Sequence, residues 1–127
     1  MCMSASGNFM PPMFVFPRKQ ENSLLMNDAP PGSFACYNES EWINKESFVV
    51  WFKKFIEFSN PLPNKPLLLI LDGHESHTKS LELIQLARDK NVTLVCCPPH
   101  TSATHHLQPQ DVSFMCPLST FYEQELR

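Results

Sequence analysis

Five consecutive apolar residues, Leu67–Leu71, place the strongest constraint on how this 127-residue chain can fold. A strand that is apolar at every position suits the centre of a parallel sheet, where both faces are buried. The run stops abruptly at Asp72 and Gly73, a carboxylate and a residue that allows a sharp turn. The sequence therefore predicts a strand buried on both faces, with a carboxylate at its carboxyl end.

A second apolar run, Val92–Cys96, follows the first after a helical pattern over residues 80–90. Within that pattern Leu83, Ile84 and Ala87 recur at the spacing of one helix face. A strand, a helix and a strand in this order form a right-handed crossover, which makes the two strands parallel neighbours. We therefore expect both strands to end at the same edge of a sheet.

The first half of the chain is predicted to hold a hairpin and one long helix. A turn at residues 5–8 and an apolar segment at residues 13–16 indicate a hairpin whose first strand lies close to Met1. An irregular loop over residues 18–31 follows. Asn44 is then placed to cap a helix that stops before Asn60-Pro61.

Aromatic residues dominate that long helix, and they allow two interpretations. Trp51, Phe52 and Phe55 could form a base-stacking platform, but their helical spacing favours a core face. Lys53 and Lys54 could contact DNA phosphate, although a solvated helix face is the simpler reading. We therefore predict that the aromatic side chains are buried and the two lysines exposed.

The last part of the chain is predicted to hold a polar loop, residues 97–110, and a third helix. Asp111 or Ser113 is expected to cap that helix. Its apolar face would hold Phe114, Leu118 and Phe121. The full order of hairpin, helix, strand, helix, strand and helix predicts a single α/β domain with helices packed on a mixed sheet.

Composition argues against several classes of protein. The net charge of −3 lacks the basic excess that a free-standing nucleic-acid binder usually shows. No apolar stretch reaches the length that spans a membrane, so we expect no membrane partner. The five cysteines include no CxxC pair, and we interpret them as reduced thiols of an intracellular protein.

Two aspartates are expected at the edge where the parallel strands end. Sites in open α/β sheets form beyond the carboxyl ends of the strands. Asp72 follows the first strand directly, and Asp111 closes the loop after the second. Paired carboxylates can hold Mg²⁺ or Mn²⁺, and two such metals can clamp an in-line attack on a phosphodiester. Each aspartate taken singly would be an ordinary turn former or helix cap.

Longer motifs surround both aspartates. They read LDGHESH at residues 71–77, PPHTSATHHLQPQDV at residues 98–112 and SFMCPLSTFY directly after, with EWINKESFVVWFKKFI upstream at residues 41–56. Together with SASGNFMPPMFVFPRK at residues 4–19, this order resembles the DDE-type transposase domain of the pogo/Tigger/jerky branch of the Tc/mariner group. That branch includes domesticated proteins such as centromere protein B, and the resemblance covers nearly the whole chain.

The resemblance implies a ribonuclease-H-like fold with three metal-binding acids that cut DNA and join its freed 3′ ends to a target. Asp72 matches the second acid and Asp111 the third, and both would be catalytic residues and metal ligands. The first acid belongs to an upstream strand motif of the form NxDE, which this sequence does not contain. We therefore expect an N-terminally truncated domain, residues 1–127, that lacks the first strand region.

Cofactor, partners and location follow from the same resemblance. It implies Mg²⁺ or Mn²⁺ as cofactor, DNA as partner, the nucleus as location, and a homodimer in a full-length protein. With two of the three acids, we expect no DNA cleavage by this chain alone. A shifted loop strengthens that expectation, because Ser102-Ala103 reads as an insertion beside the acids and Gln110 stands where the family has leucine.

Other polar residues near the acids are candidates for contacts to DNA, or for hydrogen bonds that orient the acids. They are His74, His77, Lys79, His100 and Gln108. His74 and His77 suit turn and helix-start hydrogen bonds equally well. A zinc site from these two histidines with Cys97 or His100 is an alternative, although the spacing matches common zinc motifs poorly.

Three functions stay open at this point. The first is a fragment of a transposase of this family. The second is a domesticated remnant that serves as a non-catalytic DNA- or protein-interaction module. The third is an unrelated metal-dependent hydrolase, which zinc retained by the purified protein would favour.

Overall fold

The computed structural model describes residues 1–40, 42–72, 80–97 and 114–126. Within these ranges the chain is a mixed α/β structure with three α-helices and three two-stranded sheets. In chain order its elements are β1 (Cys2–Met3), β2 (Phe9–Met10), β3 (Met13–Pro17), a 3-10 turn (Ser23–Met26), β4 (Phe34–Asn38), α1 (Lys45–Ser59), β5 (Leu67–Leu71), α2 (Leu81–Asp89), β6 (Val92–Cys96) and α3 (Cys116–Glu125).

The N-terminal hairpin is shorter than predicted. β1 pairs antiparallel with β2, and Gly7 in the turn takes a φ of +85°, which glycine adopts without strain. The hairpin therefore ends before Pro11-Pro12, and the prediction of residues 13–16 as its second strand is wrong. The reason is that the two prolines bring no backbone N–H donors to a ladder.

Instead β3 pairs in parallel with β4, a strand that the sequence patterns did not predict. The register runs from Met13 opposite Phe34 to Pro17 opposite Asn38. The residues of β4 are all half-buried, so they do not alternate between a core face and a solvent face. Without that alternation the strand gave no period-two signal.

The predicted crossover is confirmed. β5 and β6 pair in parallel from Leu67 opposite Val92 to Leu71 opposite Cys96, and α2 connects them. The prediction that β5 is buried on both faces is wrong, however. Leu69 is buried, whereas Leu68 and Ile70 are 61% and 64% exposed. The core residues of α1 and α2 pack with one face of this pair, and its other face stays open among the described residues.

Helix α1 begins and ends as its sequence predicts. The Asn44 side chain accepts a hydrogen bond from the Ser47 N–H at 2.8 Å, and the Ser47 hydroxyl accepts one from the Asn44 N–H at 2.8 Å. This reciprocal pair satisfies two of the N–H groups that a helix start leaves unpaired. At the other end Asn60 takes a left-handed conformation, with φ of 45°, and its N–H bonds the Ile56 carbonyl.

Loss of this cap has a measurable consequence. Replacing Asn44 by alanine removes the acceptor for the Ser47 N–H, and we expect the free energy of unfolding to fall by about 1 kcal/mol. Urea denaturation followed by circular dichroism measures the change. Asn44→Asp is the matched control, because it keeps an acceptor oxygen and should stay close to the wild type. An unchanged midpoint for the alanine variant would contradict this role.

The core forms between α1, α2 and the buried face of β5–β6. Phe52 and Leu83 are fully buried, and the rings of Trp51 and Phe55 stack at a centroid distance of 5.5 Å. The prediction that the aromatic residues of α1 form core is therefore confirmed. Lys53 and Lys54 are exposed, as predicted, and lie close to the carboxylates of Glu82 and Glu57 respectively.

The last helix, α3, lies within the described range of residues 114–126. α3 begins at Cys116 with Met115 as its N-cap, and Met115 offers no side-chain hydrogen bond to the helix. Pro117 lies in the first turn, where its missing N–H costs no helical hydrogen bond. Capping by Asp111 or Ser113 concerns positions outside the described residues.

Candidate functional site

The carboxyl ends of β5 and β6 meet at one edge of their sheet. Leu71 lies opposite Cys96, and the Cys97 N–H donates to the Leu71 carbonyl at 2.9 Å. Asp72 follows Leu71 directly, so its carboxylate starts from the same edge as the two cysteines. The backbone thus places a carboxylate where ligand sites form in open α/β sheets.

The charge of the Asp72 carboxylate affects the pKa of the Cys96 thiol. Burial raises the pKa of the Cys96 thiol above its usual value, and the nearby charges of Asp72 and Cys97 raise it further. The thiol therefore stays protonated near neutral pH, and it is a poor metal ligand and a poor nucleophile in that form. The sequence predicted the shared edge, but not the electrostatic contact between Asp72 and Cys96.

That contact can be tested by alkylation. In Asp72→Asn the carboxylate charge is gone, so the pKa of Cys96 should fall and its alkylation by iodoacetamide near neutral pH should become faster. Cys36 is the internal control, because burial raises its pKa and no contribution from Asp72 acts on it. Peptide mass spectrometry resolves the two rates, and an unchanged Cys96 rate would contradict the contact.

Most of the predicted site residues lie outside the described ranges. They are His74, His77, Lys79, His100, Gln108 and Asp111. Their placement beside Asp72 stays a prediction. The zinc site also stays a prediction, because Cys97 is the only one of its proposed ligands in the described ranges.

The described residues give a partial fit to a divalent metal. Asp72 supplies a carboxylate, the oxygen ligand that Mg²⁺ and Mn²⁺ prefer. Nowhere in residues 1–40, 42–72, 80–97 and 114–126 do three or more histidine, cysteine, aspartate or glutamate side chains gather as a metal site. The neighbouring protonated Cys96 thiol would not compete for a hard cation. Among the described residues Asp72 thus supplies one oxygen ligand at this edge, and a complete metal site is not seen there.

Four cysteines whose side chains the structure describes form no disulfide: Cys2, Cys36, Cys96 and Cys97. The reduced state of all five cysteines stays a prediction. Burial raises the pKa of Cys2 as well as those of Cys36 and Cys96. A raised pKa leaves less of each thiol in the reactive thiolate form near neutral pH.

Comparison with known proteins defines the class of this protein. Residues 1–127 match the family described as DDE superfamily endonuclease, so the chain belongs to that family. The family is a transposase-type endonuclease superfamily that acts on DNA and typically uses divalent metals. Membership confirms that the motifs belong to a DDE-type endonuclease domain.

One curated relative is the protein named MFS-type transporter clz9 from Cochliobolus lunatus. It is 32% identical over 126 residues, which are 98% of this chain and 13% of that protein. The chain therefore spans a small part of the relative's length. No solved structure matches the chain. None of the helices in the described ranges is both long and apolar enough to cross a bilayer.

Proposed function

We propose that this chain is a transposase-derived, DNA-binding part of a DDE endonuclease of the pogo/Tigger/jerky branch. In this proposal residues 1–127 form one partial ribonuclease-H-like domain that works on DNA in the nucleus. The observation that carries it is the position of Asp72, directly beyond a parallel strand pair and at its carboxyl edge. Parallel strands of this kind place functional groups at that edge.

Asp72 and Asp111 would be the second and third acids of the site and would hold Mg²⁺ or Mn²⁺. When bound, such ions supply positive charge for the attacking and leaving oxygens of a phosphodiester. The protein's own contribution is to hold the two carboxylates in position. β5 does this for Asp72, because Leu69 and Leu71 are buried in the core and hold the strand end in place.

The surrounding candidates would orient the acids or contact the DNA backbone. In this proposal His74, His77, Lys79, His100 and Gln108 provide those contacts through donors that suit phosphate oxygens. The 127-residue chain contains two of the three acids, so it should bind DNA without cutting it. A homodimer in a longer protein would bring two such edges to the DNA ends.

A plasmid assay tests this function. Supercoiled DNA incubated with the chain and Mn²⁺ should remain uncut, while a gel shift should weaken as salt rises, because phosphate contacts release counterions. Nicking that depends on Mn²⁺ and disappears in Asp72→Asn would show that two acids suffice, contrary to this account. The absence of any DNA shift at low salt would overturn the DNA-binding part of the proposal.

The second candidate is a non-catalytic protein-interaction module. It is favoured by the open apolar face of β5–β6, where Leu68 and Ile70 are exposed. Monomeric soluble proteins rarely leave large contiguous apolar patches open. In that case neither metal nor DNA should bind, and the function would rest on this face alone.

A further inference from the structure

A groove lies along the first half of β6, between this strand and helix α2. It has a volume of about 540 Å³ and lies at the amino end of the β5–β6 pair, away from Asp72. A site of this size can take up the side chains of a bound molecule. It is called the α2–β6 groove below, and its lining includes Ile84, Ala87, Arg88, Val92, Thr93 and Leu94.

β6 has a free backbone edge within the part of the chain that the structure describes. Its sheet has two strands there, so β6 is paired with β5 on one side only. The Asn91 carbonyl accepts a hydrogen bond from the Leu67 N–H at 3.0 Å, so residue 91 directs its carbonyl toward β5. Backbone groups of a strand alternate in direction, and the N–H and C=O groups of Val92 and Leu94 therefore point away from β5.

The α2–β6 groove borders this free edge. Thr93 and Leu94 are consecutive in the strand, so their side chains point to opposite faces, yet both line the groove. The groove therefore crosses the edge of β6 rather than lying on one face of it. On the side of α2 its walls are apolar, because Ala87 and Val92 belong to the buried core and Ile84 lies beside them.

Arg88 gives the α2–β6 groove a positive charge. It is the only charged residue among the described residues of the lining, and it lies in the last turn of α2. The Asn91 N–H donates to the Arg88 carbonyl at 3.3 Å, so this arginine lies at the start of β6. None of the ion pairs among the described residues involves Arg88. A guanidinium in such a place favours a carboxylate, which it can bind through two parallel hydrogen bonds.

We propose that the α2–β6 groove binds an extended acidic peptide segment of a partner protein, which adds a strand to the free edge of β6. Backbone hydrogen bonds to Val92 and Leu94 supply affinity, as in other complexes formed by strand addition. An aliphatic side chain of the peptide packs on Ile84, and a carboxylate at its start binds Arg88. A helical partner would leave the row of backbone groups on β6 without hydrogen bonds.

The composition of β6 supports this mode of binding. Edge strands commonly avoid pairing with other chains through charged residues or proline, and the strand Val92–Cys96 contains neither. The groove also lies at the opposite end of the strand pair from Asp72. The proposal therefore depends on neither metal nor DNA, and it can fail or succeed separately from the proposed function.

Fluorescence anisotropy with a synthetic probe tests the groove. The probe is a fluorescein-labelled hexapeptide that begins with glutamate and continues with alternating valine and threonine. The wild-type chain should bind it, and Ile84→Asp should raise the Kd at least about 10-fold, because it places a negative charge in the apolar wall. Leu81→Asp is the matched control, since Leu81 is also exposed on α2 but lies outside the lining. Circular dichroism checks that both variants remain folded. A wild-type chain that does not bind the probe would overturn the proposal.

The charge contact is tested with a second pair of variants. Arg88→Gln should raise the Kd of the probe by about 3- to 10-fold, whereas Lys90→Gln, which removes the same charge outside the lining, should leave it unchanged. A probe with glutamine in place of its glutamate should bind the wild-type chain and Arg88→Gln equally well. An effect of Arg88→Gln that persists with the glutamine probe would overturn the contact between this arginine and a carboxylate.

Methylated probes distinguish strand addition from simple apolar binding. In an added strand, alternate backbone N–H groups of the peptide face β6, and the others face away from it. Two probes, each methylated at one of these alternate sets of nitrogens, carry the same number of methyl groups. One should bind at least about 10-fold more weakly than the unmodified probe, and the other should bind almost as well. Equal affinities for the two methylated probes would overturn strand addition at β6.

Discussion

Phe52→Ala is expected to lower the free energy of unfolding by about 3–5 kcal/mol, the usual cost of deleting a buried aromatic side chain. Phe52 is 0% exposed and lies at the centre of the cluster that joins α1, α2 and the β5–β6 pair. A chain of this size has a total stability of about 5–15 kcal/mol, so the variant should be largely unfolded on mild warming. Thermal melting followed by circular dichroism measures the loss.

Phe58 on the same helix provides the matched control. Its side chain is 52% exposed, so Phe58→Ala removes the same atoms while leaving a much smaller cavity. We expect a loss of less than about 1 kcal/mol for this variant. Equal losses for the two variants would mean that the core does not centre on Phe52, and that the packing of α1 described above is wrong.

Asp72→Asn is expected to raise the Kd for Mn²⁺ by about 10- to 100-fold. The substitution keeps the size of the side chain but removes the negative charge that attracts the cation. Asp111→Asn should do the same if both aspartates hold the metal. Isothermal titration calorimetry in low salt measures the affinities. The expected values follow from the loss of one of two charged ligands.

Asp89→Asn is the control for this experiment. Asp89 ends α2 and carries the same charge, but lies at the opposite end of the crossover from the carboxyl edge of β5–β6. Its replacement changes the net charge by the same amount and should leave Mn²⁺ affinity unchanged. If all three variants weakened binding equally, the cation would be responding to net charge rather than to a site.

Features set by local sequence could be predicted with the most success. Asn44 and the break before Pro61 fixed both ends of α1, and the order of strand, helix and strand fixed the parallel pairing of β5 with β6. These features depend on caps, proline geometry and chain connectivity. All of them act within one element or between consecutive elements, so no knowledge of distant packing was needed.

Features set by distant packing could not be predicted in the same way. The apolar run of Leu67–Leu71 is equally consistent with one covered face or two, because the sequence does not state whether a second layer lies over Leu68 and Ile70. The parallel pairing of β3 with β4 depends on a connection through a 3-10 turn and carries no alternating pattern. Both errors concern what lies next to an element rather than its own conformation.

Some features of the candidate site could be predicted from local sequence, and others could not. The position of Asp72 followed from the rule that parallel strands end at functional edges, and the structure places it there. Its electrostatic effect on Cys96 needed the register of the strand pair, which connectivity does not give. The role of Asp72 as a metal ligand and its partnership with Asp111 belong to the proposed function, which rests on the resemblance of the surrounding motifs.

The most direct test of the central claim is the location of bound Mn²⁺ by nuclear magnetic resonance. Paramagnetic Mn²⁺ broadens amide signals near its site, and this account predicts selective loss of the Leu71, Asp72 and Cys97 signals at the carboxyl edge of β5–β6. The signals of Asn91 and Val92, at the other end of β6, should persist. Broadening at that opposite end, or uniform broadening without a centre, would contradict a metal site at Asp72.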